Sequence, residues 1–225
     1  MAASVVTDPV SQPEAASPSA APSSILSRLR LETRGEHEAV EQVLDLMGAS
    51  LTPEGYRHRL EQFYGFYAPL EKALQARALT LPPATRAALA ARLNKTALLR
   101  QDLQHLGARA ETLPLCSNLP PLGTQAEVLG CVYVMEGATL GGRMITQHIR
   151  TVLGITPITG GSFFDGYGDD TGRMWQGMRQ LLVSSAPDTK TEDTIVTNAV
   201  TTFASLRGWC ESFQKQLDNG TTRHE

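Results

Sequence analysis

The chain has 225 residues, a formal net charge of −3 and a pI near 6.0, which is long enough for one domain with a sizeable core and excludes the polybasic footprint of a nucleic-acid or membrane-surface binder. Cys116, Cys131 and Cys210 are widely spaced and odd in number, an argument against a disulfide framework or structural zinc site and for a reducing cytoplasm. No apolar run reaches membrane-span length, and the first residues lack the basic segment and apolar core of a secretory signal.

Residues 1–24 are rich in Ala, Ser and Pro, without periodicity, and read as a disordered tail. The first helix is expected from Ser24 to Met47, stopped by Gly48. At about 100° per residue, Arg30, Arg34, His37 and Glu41 fall in one stripe roughly 60° wide. A carboxylate one turn beyond an imidazole can accept its second N–H. This fixes the tautomer and leaves the other nitrogen free for a metal. Two arginines on that face suit an anionic ligand beside the metal, a combination found in haem with its iron and propionates. The plainer alternative is an amphipathic helix with solvated charges.

Thr52-Pro53-Glu54 starts a second helix that runs to about Leu79. Tyr64, Phe66 and Tyr67 crowd it, and Pro69 should kink it by removing one backbone bond. A short third helix follows Pro82-Pro83, and a fourth is expected from Asn94 to Ala110. Residues 125–153, QAEVLGCVYVMEGATLGGRMITQHIRTVL, read as a helix at both ends but hold Gly137, Gly141 and Gly142 in the middle. Each costs a helix interior about 1 kcal/mol relative to Ala, so something there needs bare backbone. Gly130, Gly137 and Gly141 share a face. Two readings are open: close packing of helices, or a flat ligand lying directly on the helix. The Gly-rich connection around residues 155–170 lacks a phosphate-loop context. Thr171 is expected to cap a helix carrying Trp175 and Arg179, and a last helix spans about Thr191 to Leu217. The architecture is all-α, six to eight helices in one domain over residues 25–218, with 219–225 flexible.

Taken together, LRxxTRxxHxxxE at 29–41, FYGFYAPLE, YVMEGATLGGRMI, the FFDGYG loop with TGxxW, and TTFASLRGW resemble the haem oxygenases, of the bacterial type that accompanies bacteriophytochromes. The resemblance implies a haem-oxygenase-like bundle with a kinked, Gly-rich distal helix. It also implies oxidative opening of haem b to biliverdin, with release of CO and ferrous iron, using O2. No redox-cofactor motif is present, so electrons would come from a ferredoxin or a flavoprotein reductase. A bilin-binding phytochrome could receive the product. The alternative is a haem-binding carrier or sensor without turnover on the same fold.

The resemblance further implies residue roles. His37 would be the axial iron ligand with Glu41 as its hydrogen-bond partner. Arg30, Arg34 and Arg179 would lie on the propionate side, with Tyr133 a further candidate. Gly137, Gly141 and Gly142 would form the distal wall, Tyr67 would join the distal hydrogen-bond network, and Phe203 would wall the pocket. Animal enzymes carry an aspartate where this chain has Ala138, although bacterial relatives lack it too, and a propionate lysine where it has Trp175. Of the other histidines, His58 and His148 read as surface, His105 as a packing residue, and His224 falls in the C-terminal tail. Cys131 by itself is compatible with a thiamin-degrading relative that uses a cysteine nucleophile, but no acid–base partners accompany it, which favours core packing.

Overall fold

The computed structural model describes the backbone of residues 24–221 and the side chains of residues 24–215. The tail expected over residues 1–24 lies outside them except for Ser24, as does His224. Among the described residues there are nine α-helices and no strand: α1 (Ile25–Glu32), α2 (Arg34–Leu44), α3 (Pro53–Ala78), α4 (Pro83–Ala90), α5 (Lys95–His105), α6 (Gln125–Leu153), α7 (Ser162–Asp165), α8 (Thr171–Ser185) and α9 (Thr189–Thr221). No described helix is long and apolar enough to cross a membrane.

Several expected boundaries move, each for a local reason. The first helix is two, because Thr33 interrupts it. The Thr33 hydroxyl donates to the Leu29 carbonyl at 2.7 Å alongside its own N–H at 3.1 Å, and a side chain bonding back to the i−4 carbonyl bends a helix. It ends at Leu44 rather than Met47, with Asp45 as the left-handed cap at φ 40°. Asp tolerates that conformation better than most residues, and Gly48 does not serve as the cap. Thr171 is the first residue of α8 rather than its cap, and its hydroxyl donates to the Gly168 carbonyl at 2.8 Å. The backbone of α9 continues helically to Thr221, into the segment expected to be flexible.

Other signals translate directly. Thr52 caps α3 by accepting from the Gly55 N–H at 3.0 Å. The helix continues through Pro69. Proline leaves the carbonyl four residues back without its donor, and that carbonyl, Gly65, accepts instead from the Cys116 N–H at 2.9 Å. The loop before α6 is thereby pinned to α3. Thr124 and Glu127 form a reciprocal capping box at the start of α6, and Gly154 closes its other end at φ 69°.

The α6–α9 pair is the spine of the bundle. A methyl at Gly130 would overlap the Ile195 carbonyl oxygen of α9, so the two backbones meet there without a side chain between them. Arg28 ties α1 to α9 through Asp193 at 2.8 Å and Glu192 at 3.3 Å. Arg207 of α9 holds α2 through Glu36 at 3.0 Å. The loop 155–170 is held by the fully buried Asp102 of α5, which accepts from the Ser162 N–H, the Ser162 hydroxyl and the Phe163 N–H at 2.7–2.9 Å. Burial raises the Asp102 pKa, and these donors oppose the rise.

Gly130→Ala places a methyl against a helix backbone that cannot move aside. The expected loss is about 1–3 kcal/mol, read as a lowered Tm. An unchanged Tm would mean the α6–α9 approach is looser than described.

Candidate functional site

A cavity of about 350 Å³ lies between α2 and α6, a volume within the about 300–1,000 Å³ range of small-molecule sites. His37, Glu41, Leu44 and Asp45 form one wall. Gly137, Ala138, Gly141 and Ile145 form the wall opposite. Phe63, Tyr67, Phe164, Phe203 and Leu206 from α3, α7 and α9 complete it. It is an apolar slot whose ionisable side chains are His37, Glu41, Asp45 and Tyr67.

The His37 side chain is 51% exposed and packs edge-on against Phe203, with ring centroids 5.4 Å apart. Its Nδ1 stands 3.6 Å from a Glu41 carboxylate oxygen, just beyond a formed hydrogen bond and one side-chain rotation from closing it. That leaves Nε2 as the nitrogen able to bind a ligand. Tyr67 is 1% exposed and lines the cavity. Burial pushes its hydroxyl well above the ordinary phenol range, and the Cys131, Glu136 and Glu71 side chains add to the rise. The tyrosine therefore stays protonated, available as a donor.

The glycines of α6 divide into two kinds. At Gly137 and Gly141 an added Cβ would meet nothing within 4 Å, and both line the cavity. A methyl at Gly142 would overlap the Phe164 carbonyl oxygen, and Gly142 is not on the cavity wall. The two readings of the glycine-rich stretch thus hold at different positions: Gly130 and Gly142 permit close packing, while Gly137 and Gly141 leave open space.

The expected basic residues lie elsewhere. Arg34 is exposed and paired with Glu38 at 2.7 Å, Arg30 and Arg179 are exposed, and none of the three lines the cavity. Tyr133 also lies off the cavity. It is half-buried against Trp175 with ring centroids 5.8 Å apart, and burial raises its pKa while Thr33 and Arg30 lower it. Ala138 does line the wall, so no carboxylate enters from that position. The apolar lining from Phe63, Val134, Phe164, Met144 and Ile145 was not among the expected site residues. Phe63, Val134, Met144 and Ile145 stand in helical apolar runs, which read equally well as core, and Phe164 stands in the loop FFDGYG.

The other described histidines, His58, His105 and His148, lie off the cavity. His105 is exposed rather than packed, with Nδ1 2.9 Å from the Gln101 carbonyl. His58 and His148 are half-buried rather than on the surface, and His148 Nε2 approaches the Gly48 carbonyl at 3.3 Å. Cys131 is 0% exposed, and burial pushes its thiol up to about 12, the opposite of an activated nucleophile.

Two outcomes follow from this geometry. Gly141→Ala should keep or raise the Tm, because it adds up to about 1 kcal/mol of helix propensity in open space, whereas Gly142→Ala should lower it by about 1–3 kcal/mol of overpacking. The reverse order in thermal unfolding would contradict the orientation of α6. Native protein at pH 8 should resist alkylation at Cys131 until denaturant is added, as peptide mass mapping would detect. Rapid native labelling would instead favour a cysteine nucleophile.

A family model described as heme oxygenase matches residues 23–212. Among solved structures, the chain is similar to a heme oxygenase from Neisseria meningitidis (TM-score 0.68, 18% identity, covering 84% of this chain and 92% of that one). It is also similar to heme oxygenase-1 from Synechocystis in complex with heme (TM-score 0.65, 17% identity, 90% and 97%). A third similar structure is a domain of unknown function with a heme oxygenase-like fold from Shewanella denitrificans (TM-score 0.66, 13% identity, 86% and 93%). No curated protein sequence matches the chain significantly. The all-helical fold around a slot between a histidine-bearing helix and a glycine-bearing helix, together with the family match over most of its length, shows that this chain belongs to the haem oxygenase family.

Proposed function

We propose that the protein is a biliverdin-producing haem oxygenase. It would bind haem in the α2–α6 slot and open it with O2 and electrons from a separate ferredoxin or flavoprotein reductase, releasing CO and ferrous iron. The observation that carries this reading is the pairing of a histidine on one wall with bare glycine backbone on the other. A flat macrocycle needs both: one axial nitrogen, and a facing surface with no side chain in the way. Haem supplies the redox chemistry and is also the substrate.

The chain's own residues would do the rest. His37 Nε2 would be the axial ligand, and Glu41 would hold Nδ1–H and so fix the tautomer. Gly137 and Gly141 would let the ring approach the α6 backbone, leaving no room for a second histidine. Tyr67 would hold a proton at its hydroxyl on the inner wall. Phe63, Phe164 and Phe203 would exclude water. Arg34 stands one turn before His37, and its exposed partner Glu38 is one it could exchange for a propionate at little cost. Arg30 and Arg179 are the other candidates for the propionate edge. Three buried free cysteines fit a reducing compartment such as the cytoplasm.

A second reading, a haem carrier or sensor without turnover, is favoured by Ala138, which places no carboxylate on the α6 wall. An absorption time course decides between them. The protein is reconstituted with hemin, then given ascorbate or a ferredoxin–reductase system in air. Loss of the Soret band with growth of a broad red biliverdin band is expected, and a persistent ferric or ferrous-oxy spectrum would install the carrier reading instead. His37→Ala should change the ferric haem spectrum by removing the axial ligand, and an unchanged spectrum would exclude His37 from that role.

A further inference from the structure

Behind the glycine segment of α6, on the side away from the cavity, lies an ionic cluster that the reaction outlined above does not use. Glu136, adjacent in sequence to Gly137, is 2% exposed, and Lys95 is 1% exposed. The Tyr167 hydroxyl donates to Glu136 Oε1 at 2.7 Å. Arg92 Nε lies 3.2 Å from Oε2, and Lys95 Nζ lies 3.7 Å from Oε1. The Lys95 ammonium also sits 4.0 Å above the Tyr167 ring. Each partner is anchored in turn. Arg92, just past α4, donates to the Ala88 and Met174 carbonyls at 2.6 and 2.8 Å. Lys95 opens α5, whose Thr96 N–H donates to the buried Glu71 of α3 at 3.1 Å.

Burying these charges costs desolvation that a well-packed apolar set would avoid. The cluster sits where α6 needs support. Three glycines within six residues weaken the helix here, and on the cavity side a Cβ at Gly137 or Gly141 would meet nothing within 4 Å. Beyond its contact with α9 at Gly130, the glycine segment is therefore held from behind. There, Thr139 abuts Gly166 and Gly142 abuts the Phe164 carbonyl, but these are contacts of shape. The Glu136 carboxylate alone takes a hydrogen bond from the loop 166–170, through Tyr167, while ion-pairing with α5 and the end of α4.

We propose that Glu136 is a positioning residue of the site: its buried ties to Arg92, Lys95 and Tyr167 set the rotation and depth of α6, and hence the spacing between the Gly137–Gly141 backbone and the His37 wall. The inference rests on the reading that this slot holds haem, but its primary test does not need haem.

That test is amide hydrogen exchange of the ligand-free protein, comparing wild type with Glu136→Gln and with the charge-neutral pair Glu136→Met/Lys95→Met. Glu136→Gln keeps an acceptor for Tyr167 and removes the charge. The Met pair keeps volume and removes both charges. In the Met pair, amides 137–145 should exchange about tenfold faster while those of α3 and the α9 core keep their rates. Glu136→Gln, which leaves the buried Arg92 and Lys95 charges uncompensated, should give a rise at least as large, confined to the same amides. Hemin titration by the Soret band should show weaker binding in both variants, about tenfold for the Met pair. If the Met pair fails to fold, Glu136→Gln decides. Exchange at 137–145 that rises only in step with the rest of the chain, or not at all, overturns the proposal, because a merely structural role predicts that pattern. If wild-type protein fails to bind hemin, the haem reading fails while the exchange data still decide whether Glu136 positions the helix.

Discussion

The protein depends on a helix that must present bare backbone on one side and still hold its place. α6 has no side chain to offer at Gly137 or Gly141, so at those two positions it packs on nothing across the slot. Its position comes from α9 at Gly130, from the loop after it at Gly142, and from the buried carboxylate of Glu136. An open face and a clamped face of one helix are the same requirement seen from two sides, because a helix face without side chains is a surface with no packing of its own.

The opposite wall is secured by other means. α2 is short and breaks from α1 at Thr33, but Arg207 holds it through Glu36, and His37 rests on Phe203. Polar chemistry therefore enters the slot from the α2 side, through His37, Glu41 and Asp45, and from Tyr67 below. The α6 side offers bare backbone at Gly137 and Gly141 and the apolar side chains of Val134, Ala138, Met144 and Ile145. A ligand with one axial nitrogen site and one steric face fits that division of labour. The loop that brings Phe164 to the cavity is itself anchored by Asp102, far from the slot in sequence and buried.

Much of this was legible in the chain. His37 and Glu41 stand one turn apart, so their proximity needs only a helix, and the structure places Nδ1 3.6 Å from the carboxylate. Three glycines in a helix signalled bare backbone because the cost is local and large. The break at Thr33 was not legible, since a threonine that bonds back to its own helix looks like any other threonine. Arg30 and Arg34 share the helical stripe with His37, yet neither lines the cavity. A stripe on a helix says which residues share a face, and what that face meets depends on how the helix ends and packs. The Glu136 cluster was hidden for another reason. Its partners come from residues 92, 95 and 167, and a lone carboxylate in an apolar run has no local signature of the cations that will meet it.

The sequence by itself determined the all-helical character, the Thr52 cap, the histidine–glutamate pair and the presence of uncovered backbone near residue 140, because each rests on interactions within about one or two turns of chain. Only the tertiary structure decided which glycines pack and which stay open, which aromatic rings wall the slot, and what neutralises the charges buried behind it. Those outcomes depend on the neighbour that arrives from a distant helix, and the same glycine is a contact against the Phe164 carbonyl at Gly142 and a vacancy one residue earlier at Gly141.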